Sequence, residues 1–292
     1  MEISIVIPTY NRKDVLRECL QLINNQSASR DDFEVLLIDD GSTDGTGELV
    51  GTVEKNYNFT YIRQSNQGQA VARNNGVNQA KGRIILFFDD DVLPHPELIK
   101  EHIILQKNQD DLIVRGPVIN IPEMKIPQDR PVGFWDMNKN FFCTSNVSVA
   151  KEHIIKAGSF DPSFLWWEDC ELGFRLRMMG LKWTFSFKAI VFHYKPFQPD
   201  ELAYIKKWAI KKAVYAVKLY RKHPHWRIKL GTGIHFLSFL NLKIFNPPFL
   251  IKFYEQIFNG SESRFYYRSF LTSQIGNYYY LNTIKEELKK TG

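Results

Sequence analysis

Apolar and polar positions follow two rhythms along the first hundred residues. Short apolar runs at 3–7, 34–38, 59–63 and 84–88 read as strands, and between the first two Val15, Leu16, Cys19, Leu20 and Ile23 recur at helical spacing. Leu98, Ile99, His102, Ile103 and Gln106 repeat that spacing less cleanly. This succession of strand, helix and strand predicts an α/β body built on a mainly parallel sheet flanked by helices. From 111 to about 149 the pattern changes to short β-like pieces punctuated by Pro117, Pro122, Pro127, Pro131 and Gly133, a composition suited to loops that shape a pocket. A helix is predicted over 168–179 with Gly180 as its C-terminal cap, then one or two strands over 181–194. The first body is expected to close near Pro199. Residues 201–222 place Leu202, Ile205, Ala209, Ala213, Ala216 and Tyr220 on one helical face and Lys207, Lys211, Lys218 and Lys222 on another, an amphipathic basic helix. No internal repeat or sustained heptad run is present.

At 292 residues, 44% hydrophobic and 24% charged, the chain has ordinary globular composition. Charge distribution adds more. Of 38 Lys and Arg and 32 Asp and Glu, residues 200–292 hold 16 and 6, a balance of +10, which leaves 22 against 26 for residues 1–199. A basic, aromatic-rich tail follows an acidic body, and such a tail suits an anionic membrane surface or an anionic polymer, a solvated charged helix face being the plainer reading. The three cysteines form no CxxC pair and are odd in number, so neither a disulfide framework nor a cysteine zinc site is expected, and a reducing compartment fits. The first residues read as a strand rather than a secretory leader. The apolar stretch over 234–251 is interrupted by His235, Asn241, Lys243, Asn246 and the Pro247–Pro248 pair, so no transmembrane helix is expected there.

Candidate chemistry begins where the fourth apolar run ends in Asp89, Asp90 and Asp91. Three adjacent carboxylates leaving a core must shift their pKa values or find a cation. Strand alternation would put Asp89 and Asp91 on one face, where oxygen ligands suit Mg²⁺ or Mn²⁺, while an Asp-rich turn is the other reading. The run at 34–38 ends likewise in Asp39 and Asp40, which would lie beside the first cluster if their strands are neighbours. The glycines of 41–47 match neither GxGxxG nor a P-loop.

The segments SIVIPTYNR (4–12), LLIDDGSTDGT (36–46), NQGQAVARNNGV (66–77), KGRIILFFDDDVLP (81–94) and WWEDCELGFRLRMMG (166–180) together resemble family 2 glycosyltransferases in order and spacing. That resemblance covers about two-thirds of the chain. It implies the GT-A fold, a Rossmann-like mixed sheet flanked by helices, over 1–199, with a donor-binding half to about 110 and an acceptor-binding half over 111–199. The basic, mainly helical region over 200–292 follows. It also implies an inverting transfer from a nucleotide-sugar, with a bias to UDP, to a hydroxyl of a saccharide or lipid-linked saccharide. Pro8 and Tyr10 match the segment that packs on the nucleobase, Asp40 the residue that bonds its edge, and Arg73 the ribose and diphosphate side. Asp89 and Asp91 match the metal-binding ends of the DxD motif, Asp90 faces the ribose, and His193 sits where many relatives carry a histidine near the metal. Asp169 matches the base, with Glu168 as the competing carboxylate and Trp166 and Trp167 as acceptor platforms or core. Asn146 resembles the family's asparagine facing donor sugar or acceptor.

Mn²⁺ or Mg²⁺ is the cofactor the resemblance implies, and no nucleic-acid partner is expected because no recognised binding motif accompanies the basic tail. A cytoplasmic protein is expected, peripheral on the cytoplasmic face of the membrane through 200–292. Two other readings compete with enzymatic transfer: a non-catalytic nucleotide or saccharide binder on the same fold, and a DxD phosphatase, although Leu93 stands where that chemistry wants Thr or Val.

Overall fold

The computed structural model describes residues 1–128, 130–137, 141–196, 200–260 and 265–290. The chain divides into two compact units, Met1–Pro196 and Phe197–Gly292. The boundary expected at Pro199 lies outside the described residues.

In the first unit the strands are β1 (Ile3–Thr9), β2 (Phe33–Asp39), β3 (Asn58–Arg63), β4 (Ile84–Phe87), β5 (Val92–Pro94), β6 (Leu112–Arg115), β7 (Val118–Ile121), β8 (Val147–Ala150), β9 (Lys182–Phe185) and β10 (Val191–Tyr194). The helices are α1 (Lys13–Ile23), α2 (Thr46–Thr52), α3 (Gln69–Gln79), α4 (Leu98–Gln106), α5 (Lys151–Lys156) and α6 (Glu168–Met178). Seven strands form one sheet in the order β3-β2-β1-β4-β8-β6-β9, and β5-β10-β7 form a second. β3, β2, β1 and β4 are mutually parallel, whereas β8 runs antiparallel to both β4 and β6.

Both faces of the central strands are covered, which explains why they read as nearly continuous apolar runs. Ile3, Ile5 and Ile7 pack with Leu16, Leu20 and Ile23 of α1 on one side. Val6, Leu36 and Ile38 pack with Ala70, Ala72 and Val77 of α3 and with Leu172 and Leu176 of α6 on the other. The carboxyl ends of β1, β2 and β4 leave this core together, so Thr9, Asp39 and the acidic turn after Phe87 emerge at one edge, where open α/β sheets place their ligands.

The sheet order corrects one expectation. Asp40 and Asp89–Asp91 are not on neighbouring strands, because β1 lies between β2 and β4. Thr9 at the end of β1 links them: its carbonyl accepts the Asp40 N–H at 2.9 Å and its hydroxyl donates to Asp90 at 2.7 Å.

The second unit contains α7 (Glu201–Lys222), α8 (Trp226–Thr232), α9 (Phe236–Phe245), α10 (Pro248–Gly260) and α11 (Phe265–Lys289). Asp200 caps α7 by accepting the Ala203 N–H at 3.1 Å. Ala209, Ala213 and Ala216 of its apolar face are buried, and Lys207 and Lys211 are exposed. Phe258, Leu271 and Ile275 form a core with Leu202 and Ile205 packed against it. Among the described residues no single helix is long and apolar enough to cross a membrane.

Close approach of α3 to the sheet depends on Gly76. A Cβ there would stand 2.4 Å from Val6 Cγ1 and 3.2 Å from Ile38 Cγ1. Replacing a helix-interior glycine with alanine gains about 1 kcal/mol of helix propensity, but overpacking a filled core costs about 1–3 kcal/mol. The expected result for Gly76→Ala is a lower midpoint in urea denaturation; a raised midpoint would show that α3 has room to withdraw from β1.

Candidate active site

The acidic turn is held by two arginines approaching from different elements. Strand β4 ends at Phe87, so Asp89, Asp90 and Asp91 lie in the turn before β5 and their directions are not set by strand alternation, as the sequence had suggested. Arg12, just after β1, donates from Nη1 to Asp90 Oδ1 at 3.0 Å and from Nη2 to Asp91 Oδ2 at 2.8 Å. Arg73 of α3 donates from Nη2 to Asp89 Oδ1 at 3.0 Å and from Nη1 to Glu168 Oε1 at 2.9 Å. The two differ in setting: the Arg73 side chain is 3% exposed and that of Arg12 is 44% exposed. Ser145 Oγ completes the holding of Asp89 with a bond to Oδ2 at 2.7 Å.

His193 reaches the turn through the second sheet. It pairs antiparallel with Val92 of β5, and the neighbouring Tyr194 N–H donates to the Asp91 carbonyl at 2.9 Å. His193 Nε2 consequently stands 3.1 Å from Asp91 Oδ1, an oxygen that is buried and accepts no aligned hydrogen bond among the described residues. Ligand atoms of Asp89, Asp91 and His193 all lie within 4.8 Å of one another. Two carboxylate oxygens, one from Asp89 and one from Asp91, and one imidazole nitrogen form a donor set that fits Mn²⁺ or Mg²⁺. Burial alone raises the Asp91 carboxyl, but His193, Arg12 and Lys195 outweigh it and bring it down to about 2. Asp91 is therefore ionised at any ordinary pH.

Glu168 and Asp169 open α6, and their settings separate them. Glu168 is buried, and its Oε1 accepts from both Arg73 and Gln69 Nε2, the latter at 2.7 Å. Asp169 is partly exposed and takes the Cys170 N–H at 2.6 Å. Burial pushes Glu168 up to about 7, with Arg73 opposing and the Asp169 charge adding to the rise. Burial also raises Asp169, against the pull of Arg73. Trp167 caps this helix at φ +67°, a conformation that a bulky non-glycine residue adopts only when its surroundings enforce it. Both Trp166 and Trp167 are half-buried.

Other expected residues take placements the sequence did not give. Pro8 belongs to β1 itself, paired with Ile38, while Tyr10 lies beyond the strand and is 46% exposed. Asp40 is buried and organises the loop before α3: Oδ1 accepts from Gln64 Nε2 at 2.8 Å and the Gln67 N–H at 2.9 Å, and Oδ2 accepts the Gly68 N–H at 2.7 Å. Asp90 is 3% exposed and spends both oxygens on Thr9 and Arg12 rather than facing open space. Asn146 corrects the sequence reading most clearly. Expected to face a sugar, it is 1% exposed, donates from Nδ2 to the carbonyls of Pro117 and Ala189 at 2.9 and 2.7 Å, and lies 3.0 Å through Oδ1 from His102 Nε2. Its amide is consumed inside the fold. His102 must then carry its proton on Nε2, and burial lowers that ring to about 4, keeping it neutral.

Arg12, Ser145 and Gln69 were missed. Arg12 was legible in principle, since three carboxylates at the end of β4 require a cation and the segment after the adjacent strand supplies an arginine. A cavity of about 560 Å³ opens elsewhere, lined by Glu2, Ile3, Asp32, Arg83, Ile84 and Gln106. It lies at the amino ends of β1 and β4 and shares no residue with the carboxylate cluster.

The family model of glycosyl transferase family 2 matches residues 4–153, from β1 through β8. The chain belongs to glycosyl transferase family 2. Among curated relatives, validoxylamine A glucosyltransferase from Streptomyces hygroscopicus subsp. jinggangensis is 31% identical over 228 residues, covering 63% of this chain and 53% of that protein. Chondroitin synthase from Escherichia coli is 30% identical over 240 residues, covering 66% of this chain and 35% of that one. The match thus spans about half or less of these relatives' length. Among solved structures, mannosyltransferase PcManGT from Pyrobaculum calidifontis, in complex with GDP-Man and Mn²⁺, aligns over 100% of this chain and 88% of that one at TM-score 0.66 and 18% identity. Staphylococcus aureus TarS 1–349 in complex with UDP-GlcNAc aligns over 99% and 92% at TM-score 0.58 and 18% identity. At such identity the likeness is one of fold, and the fold is GT-A, as the resemblance in the sequence implied.

Glu168 gives the site a pH signature. Its folded pKa is raised, so between about 4.5 and about 7 the native chain keeps a proton that the unfolded chain has lost. The stability this group contributes is complete below about pH 4.5, falls as pH rises to about 7 and is level above. Relative to the parent, Glu168→Gln should gain stability steadily across that window in denaturant titrations. A difference independent of pH would mean that Glu168 is ionised throughout.

Proposed function

We propose that the chain transfers a sugar from a nucleoside-diphosphate donor, UDP-linked in the first instance, to a hydroxyl of a saccharide or lipid-linked saccharide acceptor, with inversion. The convergence of Asp89, Asp91 and His193 within 4.8 Å at the carboxyl edge of the sheet carries this reading. Family membership supports it, as do neighbours of the same fold in complex with GDP-Man and Mn²⁺ and with UDP-GlcNAc.

Each residue's part follows from its setting. Asp89, Asp91 and His193 would hold Mn²⁺ or Mg²⁺, which would supply positive charge to offset the negative charge growing on the departing diphosphate. Arg12 engages Asp91 through Oδ2 and leaves Oδ1 beside His193, and its exposed guanidinium is suited to phosphate oxygens. Arg73 is committed to Asp89 and Glu168, so it positions the turn rather than grasping the donor. Tyr10 offers an exposed ring where a nucleobase can stack.

Asp169 is the base. Glu168 already serves Arg73 and Gln69 and is buried, whereas Asp169 is reachable and its raised pKa makes it a better proton acceptor than an ordinary aspartate. It takes the proton of the acceptor hydroxyl as that oxygen attacks the anomeric carbon. The bond from carbon to the donor phosphate oxygen breaks, and the electron pair leaves with the nucleoside diphosphate.

A panel of UDP- and GDP-sugars with Mn²⁺ or Mg²⁺, scored for diphosphate release with and without saccharide acceptors, tests the reading. Asp169→Asn should lower kcat by about 10²–10⁴-fold while donor affinity stays near that of the parent. Asp91→Asn should weaken both metal-dependent donor binding and turnover. Full turnover after exhaustive chelation would remove the metal from the reaction. Donor binding without turnover across the panel would favour a binding protein on the same fold.

A further inference from the structure

Apolar side chains of α9 point two ways. Leu242 is buried, but Phe236, Leu237, Leu240 and Ile244 are 75%, 68%, 37% and 56% exposed. At about 100° per residue these four fall within an arc of roughly 100°, with Leu242 on the opposite side of the helix. The outward face of α9 therefore carries four large apolar groups side by side. After a bend of 71° between the 226–244 and 248–258 stretches, Phe249 and Phe253 of α10 are exposed at 73% and 53%, one helical turn apart. Scattered exposed leucines need no explanation, but a contiguous apolar face of this size marks a surface that is covered in use.

The charges around it decide what covers it. Over residues 226–260 the chain carries Arg227, Lys229, Lys243 and Lys252 against Glu255 alone, and Glu255 is already paired with Lys206 at 2.9 Å. A second copy would bring the same surplus of positive charge against this one, whereas acidic lipid headgroups would meet it with the opposite sign. We propose that the exposed face of α9, with Phe249 and Phe253 of α10, enters the headgroup layer of an anionic lipid bilayer and lies in its plane. α9 has ten residues, about 15 Å of helix, too short to span a bilayer and suited to an interfacial position. Lys243 at the margin of the apolar arc and Lys252 on the outward side of α10 reach headgroup phosphates while the aromatic and aliphatic groups insert. This gives definite form to the membrane association expected from the composition of 200–292, and it does not depend on the donor chemistry.

The test is flotation of the full chain with vesicles of phosphatidylcholine alone or mixed with phosphatidylglycerol, at low and high salt, without nucleotide-sugar. The parent should float with the anionic vesicles, weakly with the neutral ones, and less as salt rises. The variant Phe236→Ser/Leu240→Ser/Ile244→Ser, altered only at exposed positions, and the variant Lys243→Glu/Lys252→Glu should each bind about tenfold or more weakly. Circular dichroism and size-exclusion chromatography should find both folded as the parent is. The proposal is overturned if the parent ignores anionic vesicles or if the folded triple variant binds them as the parent does. It also fails if that variant loses a concentration-dependent dimer but keeps its lipid affinity, which would assign the face to a second copy.

Discussion

The Arg73 guanidinium joins the two segments on which the site depends. It is 2% exposed, and it bonds to Asp89 in the turn after β4 and to Glu168 at the start of α6. Burying a guanidinium is costly unless its charge is met within the protein, and here two carboxylates meet it. Removing either would leave charge stranded in the interior. The acidic turn and the helix that presents Asp169 are thus tied to one side chain despite the 79 positions separating Asp89 from Glu168. Gly76, one helical turn further along α3, lets that helix lie close against Val6 of β1 and Ile38 of β2.

Arg12 completes the neutralisation from the solvent side. Three acidic side chains in succession are met by one buried arginine, one exposed arginine and one histidine, and each approaches on a different element. The buried arginine fixes geometry. The exposed one keeps part of its guanidinium in solvent while pairing with two buried carboxylates. His193 arrives by backbone pairing of β10 with β5, so the side chain that rounds out the donor set is positioned by main-chain hydrogen bonds rather than by its own contacts.

Much of this arrangement could be read from the chain before any coordinates. The four first strands, α1, α4, α6 and α7 follow from apolar spacing, and each is found within a residue or two of its expected place. Of the side chains singled out by residue type, Asp89, Asp91, His193 and the Glu168–Asp169 pair all reach the same region of the first unit. The remainder depends on pairings between distant positions. Nothing local in the sequence says that β8 inserts antiparallel beside β4, that β5 leaves the main sheet to pair with β10, or that β1 separates the two acidic strand ends. Asn146 illustrates the difficulty. An amide beside a sheet edge suits a sugar hydroxyl and two backbone carbonyls equally well, and only the approach of Ala189 and Pro117 decides between them.

Influences of opposite sense bear on the pKa of Asp169. Burial raises its pKa, while the positive charge of Arg73 and the N–H of Cys170 lower it, and the net direction is upward. Its place in the first turn of an 11-residue helix adds the positive end of the helix dipole, which favours the ionised form. A base held by burial alone would be protonated too readily, and one held by the dipole and hydrogen bond alone would be too weak to draw a hydroxyl proton. Glu168 takes the direct contact with Arg73, yet the guanidinium remains the largest influence lowering the pKa of Asp169. The adjacent acidic pair thus differs in setting: Glu168 is buried against Arg73 and Gln69, while Asp169 is partly exposed and feels the same arginine without a direct bond.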